Sequence, residues 1–250
     1  MACRDVEKGR AAVEAIRLQG LSADVRVMRL DLASLRSVRE FAAAFTKEYS
    51  RLDVLIENAG VSTGSRRVTA DGFEMDLGVN HLGHFLLTEL LLPTLKASAP
   101  SRIVVVSSSV HSRARIDFDD LQGERSWSVM GSYGQSKLAN MLFVRALSKR
   151  LDGSGVVVNA VHPGVIASEL ARDFPAPFRL LARVFFKSTE KGARTSLYLA
   201  TSPEVASVSG KYFANSKKAL PGASALDDAV AQRLWVESER LVGSAETPRP

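Results

Sequence analysis

Two patterns of apolar residues alternate along the chain. Nearly unbroken runs of valine, isoleucine and leucine in "ADVRVMRL" (23–30), "LDVLIENAG" (52–60), "RIVVVSSS" (102–109) and "GVVVNAVHPG" (155–164) predict buried strands. Between them, apolar residues spaced by three and four predict helices, the first starting almost at the first residue. Asp5 is placed to cap it, and Ala12, Val13, Ile16 and Leu18 form its stripe. Ser34 caps the next (34–49), and further helices are expected over 80–97, 133–151, 189–201 and 226–242, with a short strand near "GKYFA" (210–214). Strand runs without polar alternation belong in a parallel sheet covered on both faces, and strand–helix alternation supplies the crossovers. The pattern predicts a doubly wound α/β fold in a single domain, residues 1–243, followed by a disordered tail over 244–250.

Composition narrows the function. Hydrophobic residues make up 46% of the 250, enough for a sizeable core. One cysteine, Cys3, rules out an internal disulfide framework and a thiolate cluster for zinc, so no metal site is expected. A net charge of +6 would suit an anionic partner, but the basic residues are scattered among 27 acidic ones without a basic run, which argues against nucleic acid. No stretch reaches the roughly 20 apolar residues that span a bilayer, and no signal peptide stands at the start.

Candidate chemistry gathers at the strand ends. Tyr133 and Lys137 lie four apart on one helix face, and an ammonium beside a phenol favours the phenolate, although Tyr-x-x-x-Lys also recurs by chance. The serines 107–109, Asn58-Ala59-Gly60 and His162-Pro163-Gly164 each end a predicted strand. Singly each reads as a turn signal; together they mark the carboxyl edge where open α/β sheets bind ligands. Asn80 enters an otherwise apolar helix and needs a partner.

At these residues the chain resembles the short-chain dehydrogenase/reductase family. The shared features are "NAG" (58–60), "VNHLGHFLLT" (79–88), "VVVSSS" (104–109), "YGQSK" (133–137) and "VNAVHPG" (158–164), in family order. "MACRDVEKG", "DGFEMDLGVNHLGHFLLT" and "HPGVIASEL" resemble its retinol dehydrogenase branch. The resemblance implies a Rossmann-like fold and an intracellular NADP(H)-dependent oxidoreductase interconverting a lipophilic alcohol and carbonyl, a retinoid among the candidates. Relatives often sit at the endoplasmic reticulum membrane. Tyr133 would be the general acid/base, Lys137 would lower its pKa and hold the nicotinamide ribose, Ser108 would hold the substrate oxygen, and Asn80 would support a proton relay. Asp31, Leu32, Asn58, Ala59, Gly60, Pro163 and Gly164 match cofactor-contacting positions, and Arg4 falls where the branch meets the adenosine 2′-phosphate. "FPAPFRLLARVFFK" (174–187), with Arg179, Arg183 and Lys187 among apolar residues, matches the substrate lid and suits peripheral contact with a membrane surface.

Two features depart from the family. Glu57 replaces the first Asn of Asn-Asn-Ala-Gly, and Val105 replaces a common Asn. The family's first strand and its glycine-rich phosphate loop have no counterpart in this sequence, so two apolar strand edges are expected to lack partners, and a fragment or shortened form is the expectation. The competing reading is a non-catalytic family member that holds no cofactor. A serine hydrolase built on Ser108 and His162 lacks the Gly-x-Ser-x-Gly elbow.

Overall fold

The structure, a computed structural model, describes residues 1–20, 24–164 and 189–244. The lid segment 174–187 and the tail from 245 onward lie outside them. Two parallel sheets carry the helices. Strands β1 (Ala2–Cys3) and β2 (Met28–Arg29) pair with each other, with helix α1 (Val6–Arg17) between them. A five-stranded sheet follows in the order β3 (Val54–Glu57), β4 (Ser101–Val106), β5 (Val156–His162), β6 (Tyr212–Ala214), β7 (Lys217–Lys218), parallel except for the last hairpin. The doubly wound reading of the hydrophobic pattern holds.

Local chemistry explains the boundaries. Asp5 accepts from the Lys8 N–H at 3.1 Å and Ser34 from the Ser37 N–H at 3.3 Å, capping α1 and α2 (Leu35–Glu48). A short helix α3 (Met75–Leu77) passes through a π-turn, Gly78–Leu82, into α4 (Gly83–Ala97). Ser128 caps α5 (Val129–Arg150), which starts four residues before the expected Tyr133 because the cap lies upstream of the apolar stripe. Helices α6 (Thr189–Thr201) and α7 (Asp228–Ser244) complete the described chain. The last helix thus runs to Ser244, past the predicted domain end at 243.

Two strand expectations need correction, and one strand was not expected. Among the described residues of "ADVRVMRL" only Met28 and Arg29 form a paired strand, since β1 offers just two residues to pair with. The strand expected over 102–109 ends at Val106, although Ser107 still donates to the Val161 carbonyl at 2.8 Å and Ser108 stays extended before the chain turns at Ser109, and the Lys217–Lys218 strand was not foreseen at all. It pairs because Asn215 and Ser216 adopt positive φ, 51° and 58°, which closes a tight hairpin.

Helix α4, apolar nearly all round, and α5, buried through its middle turns, cover β4 and β5; Phe85, Leu91, Leu138, Leu142 and Ile103 are fully buried. Val104, Val106 and Val161 face a second cluster under α6. Among the described residues no strand lies between β1 and β3, and Ile56 on β3 is 40% exposed, as expected for an apolar edge without a neighbour.

Glu57 ends β3 fully buried, bonded by the Thr88 hydroxyl on α4, and burial pushes its carboxyl up to about 8. The folded protein therefore holds a proton that the unfolded chain releases near the usual carboxylate range. The contribution to stability is full below that range and is lost as pH rises toward 8. Glu57→Gln should remove this loss: melted alongside the parent between pH 5 and 8.5, the variant should match it at the acid end and exceed it at the alkaline end. Parallel pH profiles would contradict the assignment.

Candidate active site

The sequence motifs converge where β3, β4 and β5 end and α5 begins. Lys137, on α5, is buried among them: its Nζ donates to the Val106 carbonyl at 3.1 Å and lies 5.7 Å from the centre of the Tyr133 ring. The lysine's own carbonyl accepts from the Ser107 hydroxyl at 2.8 Å, and Asn140 Nδ2 donates to the Val106 carbonyl at 3.2 Å. Three bonds thus fix the end of β4 to α5.

Ser108 stands near enough to Tyr133 for its hydroxyl to favour the phenolate, against burial. Ser108 is itself held from behind. Its carbonyl accepts from His111 Nδ1 at 2.5 Å, while His111 Nε2 accepts from the Gly222 N–H at 3.0 Å. These partners select the neutral Nδ1–H tautomer, and burial lowers the pKa of the ring.

Asn80 lies in the π-turn, where the wider ladder brings its side chain onto the strand-end loop. Its Oδ1 accepts from the Val61 N–H at 2.7 Å, and its Nδ2 donates to the Val61 carbonyl and the Ser136 hydroxyl, both at 2.9 Å. Gly60, just before Val61, is packed so closely that a Cβ there would stand 3.2 Å from both Asn80 Oδ1 and Lys137 Nζ. The "NAG" loop, the buried asparagine and the lysine therefore meet at one point.

Electrostatics follow from burial. Lys137 is lowered to about 8 by desolvation, opposed by the negative charge of Asp76. Burial holds Tyr133 above its ordinary value, with the Ser108 hydroxyl pulling down and Asp76 pushing up. The sequence expectation of a phenol lowered by its lysine is thus offset, because removing a phenolate from water outweighs the available partners.

A sequence profile described as short chain dehydrogenase matches residues 1–177. The chain belongs to the short-chain dehydrogenase family. Human retinol dehydrogenase 13 is 52% identical to it over 252 residues, spanning 97% of this chain and 76% of its own length. Human retinol dehydrogenase 14 is 47% identical, with 97% and 78% covered. These relatives place it in the retinol dehydrogenase branch of this oxidoreductase family. An uncharacterized protein from Mycobacterium paratuberculosis superposes with a TM-score of 0.78 at 36% identity, covering 97% of this chain and 83% of that one. The RhlG/NADP active-site complex of Pseudomonas aeruginosa gives a TM-score of 0.66 at 26% identity, with 90% and 85% covered.

Not every predicted residue of this short-chain dehydrogenase joins the cluster. Asn58 and Ala59 are exposed at the end of β3, and Pro163 and Gly164 are half-buried after β5, Gly164 with φ of 89°. Arg4 is exposed beyond β1, in the separate sheet. The Asp31 side chain accepts from the Ala33 N–H at 3.0 Å, shaping the turn into α2, and Leu32 packs its carbonyl against Gly83. Reading the sequence missed His111, Asn140 and Asp76. Of these Asp76 had a signal, an acidic residue inside the apolar "FEMDLGVN" run.

Asn80→Ala should cost about 1–3 kcal/mol in urea unfolding, because it strips partners from the Val61 amide and carbonyl and from the Ser136 hydroxyl. A loss below a few tenths would show that water replaces the clamp.

Proposed function

We propose that the chain is an NADP(H)-dependent oxidoreductase that interconverts a lipophilic alcohol and its carbonyl, a retinoid among the candidates. The observation that carries the reading is the Ser108–Tyr133–Lys137 group, with Asn80 and the Gly60 loop packed against the lysine.

The residues fit the nicotinamide ribose end of such a cofactor. Lys137 spends one ammonium proton on Val106 and has two more for ribose hydroxyls, and the missing Cβ of Gly60 leaves room beside it. Asn58, Ala59, Pro163 and Gly164 border the same strand ends, Asp31 and Leu32 stand after β2, and Arg4 supplies charge for a 2′-phosphate. When bound, the nicotinamide supplies or takes the hydride. In reduction, the Ser108 hydroxyl holds the carbonyl oxygen and Tyr133 gives it the phenolic proton, while the Lys137 ammonium stabilises the phenolate left behind. Both Asn80 amide protons are already donated, so the share of Asn80 is to hold Val61, and through it Gly60, against the lysine.

Substrate class is read from the relatives. A cavity of about 860 Å³ lies against Ser109 and Ser132, the chain neighbours of Ser108 and Tyr133, but its wall mixes Val110, Trp127 and Met130 with Glu74, Arg113 and Asp120 and does not by itself select an apolar ligand. The names of the retinol dehydrogenases support a lipophilic aldehyde or alcohol. Among the described residues no helix is long and apolar enough to cross a membrane.

A second reading, a family member that does not hold the cofactor, rests on one observation. No glycine-rich phosphate loop occurs in the sequence, so the backbone amides that cradle a pyrophosphate are not among these residues.

The test is turnover of NADPH with retinaldehyde and with a long-chain alkyl aldehyde, followed by nicotinamide absorbance. Tyr133→Phe should lower the rate by about 100-fold or more without changing the melting temperature. A variant as fast as the parent, or no turnover of any lipophilic aldehyde, would overturn the proposal.

A further inference from the structure

His111 takes no part in the proposed reaction, yet it is the most firmly held side chain behind it. It sits in the 3-10 turn Ser109–Arg113 that follows β4 and is fully buried. It binds the Ser108 carbonyl twice, through its own backbone N–H at 3.2 Å and through Nδ1 at 2.5 Å. Its far nitrogen accepts from the Gly222 N–H at 3.0 Å, and its ring meets that of Tyr212 on β6 edge-on, with centres 5.0 Å apart and planes at 78°. Gly222 itself lies so close to the turn that a Cβ there would stand 2.5 Å from the Ser112 Cα. Two parts of the chain distant in sequence are thus packed onto the back of the serine.

We propose that His111 is a positioning residue for Ser108: its ring, held by Gly222, pins the Ser108 carbonyl and so keeps the serine hydroxyl beside Tyr133. The inference rests on the reading of Ser108 as the group that holds the substrate oxygen. Backbone geometry gives the reason. Ser108 is extended, with φ of −151° and ψ of 156°, and the residue before it is already fixed, since the Ser107 N–H donates to the Val161 carbonyl at 2.8 Å and the Ser107 hydroxyl to the Lys137 carbonyl at 2.8 Å. With the chain pinned on that side, the direction of the Ser108 Cβ is settled once the carbonyl on the other side is pinned as well. A backbone N–H at 3.2 Å is at the long end for such a bond, and the ring supplies the shorter one.

The segment before α7 enters through the tautomer. A neutral imidazole carries a hydrogen on one nitrogen and a lone pair on the other. The Gly222 amide can only donate, so the ring accepts at Nε2 and keeps its hydrogen on Nδ1, where the Ser108 carbonyl takes it. Both partners demand the same tautomer, and a ring polarised from one side binds more strongly on the other. Gly222 leads into the turn Ala223–Leu226, and Tyr212 fixes the plane of the ring from β6, so the serine is supported by elements that carry none of the strand-end motifs.

Two conservative variants separate the two bonds of the ring. An asparagine amide reaches where Nδ1 stands and a glutamine amide where Nε2 stands, so His111→Asn keeps the donor to Ser108 and loses the acceptor for Gly222, and His111→Gln does the reverse. Each deletes one hydrogen bond, and both should melt below the parent. Only His111→Gln should lose kcat in aldehyde reduction with NADPH, by roughly 10-fold and with the KM for NADPH unchanged, because only there is the serine misplaced. Equal loss of kcat in both variants, or none in His111→Gln, would overturn the proposal. On the intact chain without cofactor, the carbon-13 resonance of the Ser108 carbonyl should move in His111→Gln and stay in place in His111→Asn; the opposite order would also overturn it. If a variant fails to fold, nitrogen-15 NMR of the parent decides. At neutral pH the His111 ring should carry its hydrogen on Nδ1 and none on Nε2, and an Nε2–H or charged ring would contradict the idea. The carbonyl and ring resonances need no turnover, so a chain that reduces no aldehyde would sink the proposed function while these resonances still decide whether His111 positions Ser108.

Discussion

The burial of one ammonium group organises this end of the molecule. A lysine taken out of water loses hydration that a single hydrogen bond does not replace, so the charge of Lys137 survives only if neighbours compensate for it. The Val106 carbonyl and the negative charge of Asp76 answer that requirement, and Gly60, having no side chain, lets the strand-end loop held by Asn80 close beside the lysine. Each comes from a different element, and fixing the lysine therefore fixes the ends of β3 and β4, the π-turn and the first turns of α5 against one another. Tyr133, one helical turn earlier, is placed by the same constraint.

Much of the architecture was legible because parallel strands buried on both faces leave runs such as "RIVVV" and "GVVVNAV", and because Asp5 and Ser34 are strong caps. What failed to show in the sequence depends on pairing partners. "ADVRVMRL" has the composition of a full strand, but among its described residues only those beside β1 form a paired strand, and the Lys217–Lys218 strand exists because a hairpin closes at Asn215 and Ser216. Of the site, Tyr133, Lys137, Ser108 and Asn80 could be picked out by residue type at strand ends, and the structure packs them together. His111 could not, since its role depends on Gly222, which is 111 residues away in the chain. Asp76 left a signal, an acidic residue inside the short apolar "FEMDLGVN" stretch, but its burial shows only in the structure.

Buried titratable groups recur in this protein, and they do not act alike. Glu57 and Asp76 are both pushed upward by burial, yet Glu57 faces a threonine hydroxyl alone, whereas Asp76, bonded by the Thr63 N–H and hydroxyl, also feels the charges of Glu74 and Lys137. His81 and His84 are held neutral by the same desolvation, so acid works against the fold through them as it protects the fold through Glu57. The partners within reach, more than the depth of burial, decide which of these groups bears on chemistry.

The central claim is that the strand-end cluster around Lys137 holds a nicotinamide cofactor, and direct binding tests it. Titrating NADPH into the 250-residue chain, read by nicotinamide fluorescence with a parallel thermal melt, should give saturable binding and a melting temperature that rises with ligand concentration. Lys137→Met should weaken both responses. A cooperatively melting chain that ignores NADPH would contradict the account and favour a family member that does not hold the cofactor.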